Sequence, residues 1–240
     1  MPKLVHKGIK EDRWSPNLVS PLESFLEQVI KPVPKLDSSR AKGIRKNVAY
    51  SLQYLEFLEQ CDRDLHLTSV LATLNYKAFI ITSCSVIEAI FFCVLLQNGR
   101  AAVTEWKSVQ KVQSNEFRKG EACYKIENEI FKKLSEPELE EMSFNTMCKR
   151  VEGKKLIKLG QDVYNRIPYL RNLRNRVHIY GIENSTDTDY MRVNKSDFDQ
   201  IKTTLKELLT CSLFPLQPPK HFPGLSFDFL NEQKVELATI

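Results

Sequence analysis

The sequence predicts an all-α protein in the main, a helical bundle with one small β-hairpin insertion near residues 103–133. Three observations predict it. Only 8 of 240 residues are glycine, too few for the many tight turns of an all-β fold. Five of the 11 prolines fall in the first 34 residues and four between Pro215 and Pro223, leaving only Pro137 and Pro168 between. Within that proline-poor stretch, apolar residues recur at helical spacing. The chain therefore divides into an N-terminal arm (1–37), a helical domain (38–213) and a C-terminal tail (214–240). At this length roughly 70–75% of the unfolded surface can be buried, so no metal or disulfide staple is needed.

Each element has its own signal. Asp37-Ser-Ser precedes a pattern from Arg40 to about Asp62, in which Val48, Leu52, Leu55 and Leu58 mark one face of a helix. A second helix is predicted from about Thr68 to Leu96, with Gly99 as its stop. EWKSVQKVQ and EACYKIENEIF then alternate polar with apolar residues, NEFRKGE turns between them, and Trp106 is expected to pack within that hairpin. Ser135-Glu136-Pro137-Glu138 resembles a capping box, predicting short helices around 136–151 and 154–165 with breaks near Gly153 and Gly160. Pro168 is read as opening a helix that runs through Tyr180 and stops at Gly181. After ENSTDTD, Asn194-Lys195-Ser196-Asp197 leads into a last helix through Leu213.

Composition narrows the function classes. At 42% hydrophobic and 27% charged residues the chain is an ordinary globular one, neither collagen-like nor disordered. The net charge of +5 is local: Lys149–His178 holds nine basic residues against Glu152 and Asp162, so this window carries +7 and the rest −2. The six cysteines form no CxxC pair, and MPKLVHKGIKEDRW lacks the apolar core of a signal peptide. A cytoplasmic protein without disulfides or zinc is expected. His6, His66 and His221 are far apart, and no HExxH, GxSxG or GxGxxG occurs. Gly153-Lys154 lacks the upstream glycine of a phosphate loop, and the consecutive pair Glu140-Glu141 cannot face one site from a helix. No metal or cofactor is expected.

Residues 78–96, AFIITSCSVIEAIFFCVLL, approach the roughly 20 residues of a membrane span. Glu88 near the centre would cost on the order of 3 kcal/mol in a bilayer, so the central helix of a soluble bundle is the preferred reading over a membrane anchor. Once buried, Glu88 needs a partner. It is either a structural acid paired with an arginine from another helix or an acid that orients a functional arginine or histidine.

IPYLRNLRNRVHIYG is the most informative stretch. On a continuous helix at about 100° per residue, with Arg171 at 0°, His178 falls near −20°, Asn175 near +40° and Arg174 near −60°. Leu170, Leu173, Val177 and Tyr180 fall opposite, so Tyr180 reads as core packing before base stacking. Histidine exchanges a proton near neutral pH, and arginine forks onto phosphate oxygens. RNA supplies its own 2′-OH nucleophile, so acid–base cleavage to a 2′,3′-cyclic phosphate requires no metal. The bland reading is a solvated basic helix face with an incidental histidine.

Arg171-Asn172, six residues between Arg171 and His178, and the HIY ending resemble the Arg-x4–6-His signature of the HEPN superfamily. Arg174-Asn175 repeats the pair, but with only three residues before His178. The resemblance covers residues 40–213 as architecture and about 15 residues as motif. It implies a metal-independent endoribonuclease of toxin or antiviral-defence type. Arg171, His178, Asn172 and Glu88 would be its catalytic residues, Glu88 lying on an early helix that in this family adds a polar residue to the site. Arg174, Asn175, Arg176, Tyr180, Lys154 and Lys155 would contact RNA. It further implies a homodimer, and an antitoxin or nucleotidyltransferase as partner. The alternative within the family is a non-catalytic module that binds RNA, nucleotides or protein.

Overall fold

A computed structural model describes residues 18–176 and 184–216. The protein is mostly helical with antiparallel β-hairpins. Its elements, in order, are α1 (Val19–Leu26), α2 (Ser38–Asp64), α3 (Ser69–Gln97), β1 (Val103–Gln113), β2 (Phe117–Lys119), β3 (Ala122–Tyr124), β4 (Glu127–Leu139), α4 (Phe144–Gly153), α5 (Gln161–Asn175), α6 (Asp189–Arg192) and α7 (Lys195–Leu209).

The two long helices form where the sequence places them. The Asp37 side chain caps α2 by accepting from Arg40 N at 2.9 Å, and Val48, Leu52, Leu55 and Leu58 are buried. Helix α3 has apolar residues all round and is therefore central, packing against α2, α4, α5, α6 and α7. It is long and apolar enough to cross a membrane, with a mean hydropathy of 2.4, but 67% of that stretch is buried inside the bundle. Gly99, at φ +63°, follows its end. Asn194 and Asp197 close a reciprocal capping box on α7, and Asp197 also accepts from the Tyr169 hydroxyl of α5 at 2.8 Å. Helix α7 stops at Leu209, four residues short of the predicted end, where the Thr210 hydroxyl turns back to Lys206 O.

Three expectations are corrected. Residues 19–36, read as part of an arm, join the core: Leu22, Phe25, Leu26, Val29, Ile30 and Leu36 are buried, and Phe25 stacks on Phe214 at 4.7 Å. The hairpin is longer than 103–133. Val103 pairs with Leu139 and Thr104 with Glu138, so Ser135–Glu138 belongs to β4 rather than to a helix cap. Pro137 is tolerated because it sits in an irregular stretch between the paired Lys133 and Glu138, where no ladder donor is required. The following helix starts instead at Ser143, whose hydroxyl accepts from Thr146 N at 3.2 Å. Phe144, Met147, Cys148 and Val151 then form its buried face.

The third correction concerns α5. It begins at Gln161, so Pro168 lies inside the helix, and no helix covers 154–160. An internal proline costs about 3 kcal/mol, which burial of Val163, Tyr164, Ile167, Leu170 and Leu173 offsets. The helix ends at Asn175, with Arg176 as its C-cap, and the predicted continuation through Tyr180 lies outside the described residues. The wheel position read for His178 lies outside the described residues.

Candidate active site

Helix α5 packs its apolar face on α3 and α7 and presents Arg171, Arg174 and Asn175 beside that face. Across from them lies the start of α4. Between the two is a cavity of about 500 Å³ lined by Arg171, Arg174, Asn175 and Glu88, and by Glu141, Met142, Ser143, Phe144 and Asn145. The N-terminal turn of α4 adds the partial positive charge of its first N–H groups to that wall.

The two arginines differ. Arg174 Nη2 bonds Glu88 Oε2 at 2.9 Å, so the acid in the middle of the apolar run has the helix-to-helix partner that its burial demands. Burial raises the Glu88 carboxyl above its ordinary 4.5, Arg174 pulls it down, and Glu141 adds to the rise. Arg171 makes no ion pair among the described residues. Its Nη2 touches only Asn172 Oδ1 at 3.4 Å, and its Nε is buried with no hydrogen-bond partner. A buried donor left unmade costs about 1–3 kcal/mol. One guanidinium is thus held by an acid, and the other is poised for an anion.

Behind this wall lie two buried thiols. Burial pushes Cys84 and Cys148 up to about 12, although Arg174 and Arg171 respectively pull them down. At neutral pH both are inert thiols, and Cys84 Sγ leans on Leu170 O at 3.8 Å. All six cysteines are free, and among the described residues no group of three or more His, Cys, Asp or Glu side chains could hold a metal ion.

Of the residues singled out from sequence, the structure brings Arg171, Arg174, Asn175 and Glu88 together. Asn172 is adjacent but points to solvent and touches only Arg171. Arg176 is turned elsewhere. Its Nη2 lies 3.2 Å from Oδ1 of the buried Asp187 and 3.0 Å from Asp187 O, and its Nε lies 3.9 Å from Asp189. Arg192 completes that clamp at 2.8 Å, and Lys77 of α3 holds Asp189 at 2.6 Å. Lys154 and Lys155 follow α4 at its far end, and Lys155 lines a separate cavity of about 510 Å³ with Lys158 and Tyr164. His178 and Tyr180 lie outside the described residues. Sequence reasoning set Glu141 aside and missed Ser143 and Asn145. The signal was present in Ser143 followed by the Phe144, Met147, Cys148, Val151 stripe, but the proline at 137 drew the helix start upstream.

Comparison of the chain with family models, with curated proteins and with solved structures finds no match to any of them.

Proposed function

We propose that the protein is a HEPN-type, metal-independent endoribonuclease of toxin or defence type, acting in the cytoplasm and assembling as a homodimer. The observation that carries this reading is Arg171, which has no ion-pair partner among the described residues. Its buried Nε lacks a partner, and it stands beside Arg174, Asn175 and the α4 N-terminus on one open cavity. Those groups suit a phosphodiester: fork-shaped donors for the non-bridging oxygens and a helix end for the residual charge. His178, seven residues on from Arg171, is the group whose chemistry suits proton transfer to or from the 2′-OH and the leaving oxygen. In that step the 2′-oxygen attacks phosphorus, the bond to the 5′-oxygen breaks, and a 2′,3′-cyclic phosphate forms. Glu88 acts through Arg174, holding its guanidinium at the cavity wall. Lys149, Lys154, Lys155 and Lys158, in no ion pair among the described residues, add sequence-independent attraction, so binding weakens steeply with salt. An antitoxin or a nucleotidyltransferase is the partner this class of protein would have.

The test is RNA cleavage by purified protein in EDTA, comparing wild type with Arg171→Ala and His178→Ala and reading the product ends. Cleavage to cyclic phosphate by wild type alone is the expected result. RNA binding without cleavage, unchanged in His178→Ala, would make the protein a non-catalytic binding module. Equal cleavage by all three would move the activity away from this cavity.

A further inference from the structure

The β-arm is the least explained part of the molecule. Among the described residues, strands β1 and β4 pair only with each other, and so do β2 and β3 at the tip, where Gly120 turns at φ +67°. Nearly every residue of both long strands is exposed. Nine of the chain's large exposed apolar side chains lie on this arm, among them Trp106, Phe131, Ile130 and Val112. Trp106, expected to pack within the hairpin, is 51% exposed. Opposed residues share a face, so Trp106 and Phe131 lie on one side, and Val112 and Ile130 on the other. An isolated two-stranded ribbon is marginal in water, whereas a third strand makes it stable.

Charge narrows what completes it. Residues 103–139 carry seven basic and seven acidic side chains, so the arm is neutral and lacks the positive field that a polyanion requires. A peptide strand is the occupant that satisfies free edges and apolar faces together.

The chain contains one in the right place. Leu216 N donates to Gln28 Oε1 at 2.8 Å, at the end of α1. A few residues further along that segment, Lys35 Nζ donates to Pro137 O at 2.9 Å, at the root of β4. Leu216 therefore sits on the same segment, 28–35, that reaches the root of the arm. Residues 217–224 include three prolines and a glycine, and then Leu225-Ser226-Phe227-Asp228-Phe229 alternates apolar with polar, the period of a strand. The 24 residues from 217 span up to about 80 Å extended, twice the roughly 40 Å of the arm. Strand β4 runs toward the body, so a segment rising from Leu216 meets it antiparallel. The edge of β4 over Glu127–Lys133 is regular, because the extra residue in this part of the ladder, Val109, bulges from β1 instead.

We infer that residues 225–230 add to the free edge of β4 as a third strand, laying Leu225, Phe227 and Phe229 on one face of the arm. Hydrogen exchange on the full chain tests this. In wild type, alternate N–H groups of β4 between 127 and 133 should exchange about tenfold more slowly than in the Phe227→Asp, Phe229→Asp double variant, with α3 protected equally in both. A chain stopped after Leu216 should match the double variant, and it serves as the comparison should that variant lose α3 protection. Equal β4 exchange in wild type and in either altered chain overturns the inference. So does protection that fades on dilution, which would mean a second copy supplies the strand, or protection that arises only when an RNA oligonucleotide is added.

Discussion

Replacing Asp187 by alanine is expected to loosen the region that follows α5. Asp187 is 3% exposed and receives Arg176 and Arg192, while Asp189 beside it receives Arg176 and Lys77. Removing one partner of a buried ion pair costs about 3–5 kcal/mol, because the other charge is left stranded. Here the penalty is smaller. Arg192 is 56% exposed and returns to water, and Arg176 keeps the Asp187 carbonyl and Asp189. A loss of about 2–3 kcal/mol follows, or a Tm lower by about 5–10 °C for a protein of this size. Urea unfolding of Asp187→Ala, Arg176→Ala and the double variant measures the pair itself. A coupling of about 1.5–2.5 kcal/mol is expected. Additivity within about 0.5 kcal/mol would show that the clamp is ornamental and refute the reasoning.

Three further outcomes follow from the same structure. Phe198 is fully buried against Phe79 and Tyr76, with Lys195 and Lys202 over its ring, so Phe198→Ala should lose about 3–5 kcal/mol by urea unfolding with little change in m. Glu88 has a carboxyl raised by burial, so the folded state holds its proton more tightly than the unfolded one. Between 4.5 and its raised folded value, stability should fall as pH rises, and Glu88→Gln should flatten that slope in a pH series of unfolding curves. Thiol titration of the native protein should find Cys123 on the exposed arm fastest, lost in Cys123→Ser, while Cys84, Cys93 and Cys148, each pushed up to about 12 by burial, wait for unfolding.

The parts of the fold that were readable from sequence are those whose signals are local. Asp37 before a 3–4 apolar repeat, Asn194 with Asp197, and an all-round apolar run each lie within a single element, and each is realised. Where two local signals competed, the reading failed. Pro137 resembles a helix start, but pairing of Val103 and Thr104 with Leu139 and Glu138 carries the strand past it. Pro168 resembles another, but the buried face from Val163 to Leu173 carries a helix through it.

The candidate site divides in the same way. Sequence alone identified Arg171, Arg174, Asn175 and Glu88, because an acid in an apolar helix and a row of cations on a polar helix face are chemical oddities visible without coordinates. Only the tertiary structure decided which cation is held. Glu88 and Arg174 are 86 residues apart and meet because α3 and α5 pack together, whereas Arg171, three residues away on the same helix, receives no acid among the described residues. Arg176 is turned from the cavity to Asp187 by the helix ending at Asn175. Periodicity reports which face of a helix is apolar. Which charge ends up opposite which depends on distances between elements remote in sequence, and those arise only once the core has closed.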